Sequence, residues 1–291
     1  EHDASARSST VTSLRRRFVD LPHGQLHYWH GGLTGLGSAR VPLLMLHAAP
    51  GSARILLPLA EALASHREVI ALDLPGMGDS EPLPISGEPE ISDYTAIVQA
   101  ALAVLGVSRS DVYGTLSGSR VALDLARGSL PHVRALVLDG IGVPKPEQLP
   151  ELLQRYVPAL EPDWYGGQFQ KVWHLVRDQY LYYPWYARDR AHRRDVDLPS
   201  PRQLHLKAME VLKSAHGFGP LVRAAFRYPV ESVLRGLKLP MLLSADGHGL
   251  VNGAELLSQA AAEPINASPE ALEARAVHIH HFLERVGHAG S

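Results

Sequence analysis

The 291-residue chain has no cysteine, no apolar run approaching the ~20 residues of a bilayer-crossing helix, and almost no charge imbalance, with 28 Lys and Arg against 30 Asp and Glu. Without cysteine there is no disulfide, no thiolate metal site and no cysteine nucleophile, and such a chain suits reducing and oxidising compartments alike. A cytoplasmic location is the default expectation. A formal net charge of −2 offers no positive field for nucleic acid or anionic lipid, despite short basic runs such as Arg15-Arg16-Arg17, so neither nucleic acid nor membrane is expected as a partner. The first residue is Glu1 rather than Met, so a processed or trimmed N-terminal piece is expected and no signal peptide is legible. The length suits one large domain, or one domain carrying an insertion.

Apolar patterning supplies the architecture. Residues 1–14 are polar, rich in Ser and Thr and aperiodic, as a frayed arm would be. Residues 17–21 and 25–30 flank a His23-Gly24 turn and predict an antiparallel hairpin. Residues 41–46 and 69–72 are continuous apolar runs, the pattern of parallel strands covered on both faces. Helical spacing over 52–65, with Ser52 as N-cap, and over 92–105 alternates with them. Residues 112–114 lead straight into a helix through Val121-Ala122-Leu123, 133–139 form the next strand, and 239–245 resume the sheet. Helices are expected over 253–262 and 269–286. The fold class is therefore α/β and doubly wound, with a core at 15–143 and 231–291. Between them, residues 144–230 turn helical and gather three of the four tryptophans, which predicts an inserted helical lid over an aromatic pocket.

Three motifs follow one another in that core: His47-Ala48-Ala49-Pro50-Gly51 after the third strand, Asp73-Leu74-Pro75-Gly76-Met77-Gly78-Asp79-Ser80 after the fourth, and Tyr113-Gly114-Thr115-Leu116-Ser117-Gly118-Ser119 between a strand and a helix. The ordered trio resembles the His-Gly-x-Pro loop, the Asp-x-x-Gly-x-Gly-x-Ser turn and the nucleophile elbow of the α/β-hydrolase superfamily. The resemblance covers most of the chain outside the insertion. It implies a mostly parallel eight-stranded sheet with helices on both faces and a cap.

An elbow is a sharp strand-to-helix turn whose central residue is strained and exposed, so the residues two positions away must be small. Gly114 and Gly118 meet that need and centre Leu116, whose side chain cannot attack anything. A register centred on Ser117, flanked by Thr115 and Ser119, would restore a hydroxyl. The resemblance implies the Leu116 register, because in the family's pattern a Val-Ala-Leu triplet begins five residues after the elbow centre, as Val121-Ala122-Leu123 does after Leu116. In that register the resemblance implies an oxyanion hole from the backbone N–H groups of Ala49 and Ser117, with the Ser117 hydroxyl as a helix cap.

The other triad members transfer no better. The family's acid follows the seventh strand, where Asp246 stands at the strand end itself. Its histidine follows the eighth strand, where this chain has none, and His278, His280 and His281 fall inside the last helix as a solvated or partly packed face. His47 and His248 remain at strand C-terminal ends, where open α/β sheets bind ligands, and either could serve as general acid or base near neutral pH. Alternatively, His47 orients the oxyanion loop and His248 is an exposed loop histidine.

Trp173-His174-Leu175-Val176-Arg177-Asp178-Gln179 and Tyr183-Pro184-Trp185-Tyr186 are similar to the lid of a divergent subgroup that carries His at the elbow centre. That resemblance implies that Leu116 silences the chain. Trp173 and Arg177 share a helix face, which allows a cation–π pair or an Arg clamp on a substrate carboxylate; an Arg177–Asp ion pair is the other reading. Tyr183, Trp185 and Tyr186 complete the expected substrate pocket. The function expected is an enzyme acting on a small, largely apolar substrate. Its chemistry would be ester, lactone or C–C hydrolysis, or histidine-based lyase or isomerase chemistry. No metal or organic cofactor is implied, and a homodimer is admitted. The alternative is a non-catalytic small-molecule-binding protein on a hydrolase scaffold.

Overall fold

The computed structural model describes residues 10–34, 41–129, 132–244, 263–264 and 272–289. Eight strands form one sheet: β1 Thr10–Leu21, β2 Gly24–Thr34, β3 Leu43–Leu46, β4 Glu68–Leu72, β5 Arg109–Thr115, β6 His132–Asp139, β7 Met241–Ser244 and β8 Glu263–Pro264. Their spatial order is β1-β2-β4-β3-β5-β6-β7-β8. β1 and β2 pair antiparallel, as do β2 and β4, and every pair from β4 to β8 is parallel. β1 begins inside the stretch expected to be a frayed arm. Thr10 pairs with Thr34 and Val11 with Leu33, so main-chain hydrogen bonding to β2 holds residues that have no apolar alternation of their own.

The continuous apolar runs are explained by burial on both sides. In β3, Leu44 and Leu46 face one core with helices α2 (Ile91–Val104) and α3 (Ser117–Arg127). Leu43 and Met45 face the other, with α1 (Leu57–Ala64) and the last helix, Leu272–Ala289. Helices therefore cover both faces of the sheet.

Between β6 and β7 the chain inserts α4 (Leu149–Arg155), α5 (Gly167–Leu181), α6 (Pro201–Lys213) and α7 (Ala215–Arg227), before α8 (Val230–Gly236) returns it to the sheet. The insertion has a core of its own, built on Val172, Leu175, Val176, Leu204, Val211 and Phe218. Polar contacts fasten it to the loop after β3: Ser52 Oγ donates to Glu210 Oε2 at 2.5 Å, and Ser214 Oγ donates to the Gly51 carbonyl at 2.9 Å. Strand order reverses around β3, so a crevice opens beyond the C-terminal ends of β3 and β5, beneath the insertion. No helix among the described residues is long and apolar enough to cross a membrane.

Candidate active site

β5 ends at Thr115 and α3 begins at Ser117, leaving Leu116 between them at φ 48°, ψ −112°. Among the described residues it alone combines a side chain with positive φ. Such a conformation costs a non-glycine residue about 1–3 kcal/mol and persists only where its surroundings impose it. Here the Leu116 N–H donates to the Asp139 carbonyl at 2.8 Å, and its own carbonyl accepts from the Ser119 N–H at 3.1 Å. A Cβ on Gly114 would lie 2.6 Å from the Gly118 oxygen, and a Cβ on Gly118 would lie 2.6 Å from the His47 oxygen. The elbow is thus centred on Leu116, and the register centred on Ser117 is excluded.

The Ser117 hydroxyl does not cap its helix. It accepts the Ala49 N–H at 2.7 Å across the elbow. One of the two expected oxyanion donors is therefore already engaged, and the Ser117 N–H, in the first turn of α3, is the one without an intrahelical acceptor.

His47 also departs from the acid–base expectation. It is fully buried, its Nε2 accepts the Leu74 N–H at 3.0 Å, and Nδ1 must then carry the proton donated to the Ala48 carbonyl at 2.9 Å. Burial holds its pKa below the ordinary value against the opposing pull of Asp73 and Glu210. His47 is a neutral tie between the loops after β3 and β4.

Asp73 serves the same end. Burial pushes its carboxyl up, but the hydrogen bond with His27 and the proximity of His47 outweigh that and hold it below the usual range. Its two oxygens accept the Ala53 N–H at 2.7 Å and the Asp79 N–H at 3.0 Å. His27, Asp73 and Asp79 bring ligand atoms within 4.8 Å of one another. Lys213 and Arg16 already supply positive charge at Asp79.

Above the elbow lies a cavity of about 700 Å³ with Ala49, Leu116 and Ser117 in its floor. Tyr183 and Trp185 line it as expected, and the Trp185 indole donates to the Tyr156 carbonyl at 2.8 Å. The other aromatic expectations are corrected. Val172, Leu175 and Val176 turn inward from α5, so Trp173 faces outward at 38% exposure. Arg177 pairs with buried Asp178 at 2.7 Å, the ion-pair reading, and is not part of the cavity wall. Tyr186 packs edge-on against Trp185 with Arg155 4.4 Å above its ring, outside the cavity wall. Asp246 and His248 lie outside the described residues. The wall also contains residues that sequence reasoning missed: Arg120, Tyr156, Arg194, Lys207 and Phe226. None of them carried a sequence signal: Arg120, just before the Val121-Ala122-Leu123 triplet of α3, reads as a solvated helix charge.

A family model described as alpha/beta hydrolase fold matches residues 41–199, more than half of the chain, including both loops and the elbow. The chain belongs to the alpha/beta hydrolase fold family. Solved structures agree. An enol-lactonase from Burkholderia xenovorans LB400 is 16% identical, with 92% of this chain and 100% of that one covered at a TM-score of 0.70. An epoxide hydrolase from Vigna radiata is 16% identical, with coverage of 94% and 98% at 0.65. An N-acyl homoserine lactonase is 16% identical, with coverage of 94% and 98% at 0.66. At these identities the likeness is one of fold. Leu116 stands at the strand-to-helix turn after β5, and no histidine among the described residues lines the cavity above it.

Proposed function

We propose that this α/β-hydrolase-fold chain binds a small, largely apolar organic molecule in the cavity above the elbow, without covalent chemistry at position 116. The observation that carries this reading is the leucine at the elbow's strained centre. A nucleophilic mechanism needs a group there that a neighbouring base can activate, and Leu116 offers none. Two further observations support it: the Ala49 N–H is engaged by Ser117, and His47 is held neutral away from the cavity. A cavity of this size suits a ligand of ordinary metabolite dimensions.

The test is ligand-observed NMR against a panel of small aryl and acyl compounds, alongside hydrolysis assays with their p-nitrophenyl esters. Binding without turnover is expected, and Val196→Trp, at a half-exposed wall position, should abolish it by filling the cavity. Turnover by the chain as it stands would sink the proposal.

The strained elbow with its small flanks favours a second reading, since the backbone cost is retained at a position that performs no chemistry. Under it the chain is a hydrolase silenced at position 116. Leu116→Ser or Leu116→His should then confer ester or lactone turnover, whereas a dedicated binder has no partner to activate the new side chain.

A further inference from the structure

Arg120 is buried in the cavity wall, one helical turn after Leu116. Its Nη1 donates to the Leu116 carbonyl at 2.8 Å and the Gly140 carbonyl at 3.3 Å, and its Nη2 donates to the Gly142 carbonyl. Those acceptors are neutral. Its Nε has no partner, and among the described residues no carboxylate pairs with it. Buried charges are ordinarily paired, because an ion stripped of water and left without a counter-charge is costly. Burial lowers the Arg120 pKa to about 10, which still leaves the guanidinium charged at neutral pH.

The surroundings repeat the sign. Tyr183, close enough to Arg120 for each to bias the other's ionisation, also has a buried hydroxyl without a partner. Arg194 and Lys207 bring two more cations to the same wall, against the single carboxylate of Asp197. Arg194 donates to the Gln179 carbonyl at 2.9 Å, and Lys207 sits 4.7 Å above the Tyr180 ring, so neither is neutralised by an acid in these contacts.

We infer that the cavity takes a ligand bearing a carboxylate, with Arg120 as its counter-charge beside the elbow and an apolar body packed against Leu116, Trp185 and Phe226. The inference rests on the proposed small-molecule role of this cavity and adds the charge of the occupant. It also moves the carboxylate-binding role from Arg177, which Asp178 satisfies, to a residue on the core helix.

The experiment compares matched acids and primary amides, from phenylacetate and phenylacetamide up to 6-phenylhexanoate and its amide, by titration calorimetry on the full chain near pH 7.5. The acid of at least one pair should bind about tenfold or more tightly than its amide, the range of one added charge-assisted hydrogen bond. Added salt should weaken the acid and leave the amide unchanged. Arg120→Gln should remove the preference. Because that substitution also releases three main-chain carbonyls, the wild-type comparison stands as the independent test. Amides that bind as well as their acids would overturn the inference and leave the cavity reading intact. Failure of every acid and amide to bind would overturn both.

Discussion

A methyl group added at Gly118 probes the elbow directly. Its Cβ would sit 2.6 Å from the His47 carbonyl oxygen and 2.7 Å from the Leu46 carbonyl carbon, with the Leu46 oxygen also inside contact. Non-bonded carbon atoms pack at about 3.5–4.0 Å, so α3 and the end of β3 would have to separate by roughly 1 Å. Both belong to close-packed backbone that cannot yield as a flexible side chain would. Overpacking of this kind costs about 1–3 kcal/mol, and the upper end is expected because the displaced strand end carries His47. The sign is informative, since an unobstructed helical Gly→Ala change gains about 0.5–1 kcal/mol. Gly236, exposed at the end of α8 with nothing within 4 Å of a built Cβ, is the control. Urea unfolding followed by circular dichroism measures both. Gly118→Ala should lose about 3 kcal/mol while Gly236→Ala loses nothing. A Gly118→Ala chain as stable as wild type would refute an elbow centred on Leu116.

Three further outcomes follow from the geometry. His47 stays neutral in the fold while its unfolded counterpart titrates near 6.5, so the unfolded chain binds the extra proton below that pH. Stability should therefore fall as the pH drops below about 6.5, by up to about 1.4 kcal/mol per unit until the lowered folded pKa is reached, and urea midpoints for His47→Asn should show a shallower slope. Glu210→Ala removes the acceptor of the buried Ser52 hydroxyl and should cost about 1–3 kcal/mol. Limited proteolysis should then cut the insertion faster, and an unchanged pattern would mean that this contact does not fasten it. Arg177→Ala should leave ligand binding unaltered and shift stability by about 0–1 kcal/mol, because Arg188 still pairs with Asp178 at 2.7 Å; lost binding would restore Arg177 to the site.

The strands were legible because burial on both faces writes itself as short continuous apolar runs, as at Leu43–Leu46. The elbow was legible because sterics permit few residues at Gly114 and Gly118. The start of β1 was not, since Thr10 and Val11 are held by main-chain pairing that leaves no side-chain pattern. Helical spacing put Trp173 and Arg177 on one face but could not say whether that face turns inward, which the packing of Val172 and Val176 decides. Arg120 was invisible as a site residue because an arginine in an amphipathic helix reads as a solvated charge. The local sequence position of Ser117 suits a helix cap, whereas its partner, Ala49, comes from a distant loop.

Whether position 116 carries covalent chemistry is tested most directly by intact mass after incubation with a fluorophosphonate, with peptide mapping of any adduct. The leucine elbow predicts an unchanged mass. A single adduct mapped to Ser117 would contradict it and make this chain a serine hydrolase acting through the residue next to the strained turn.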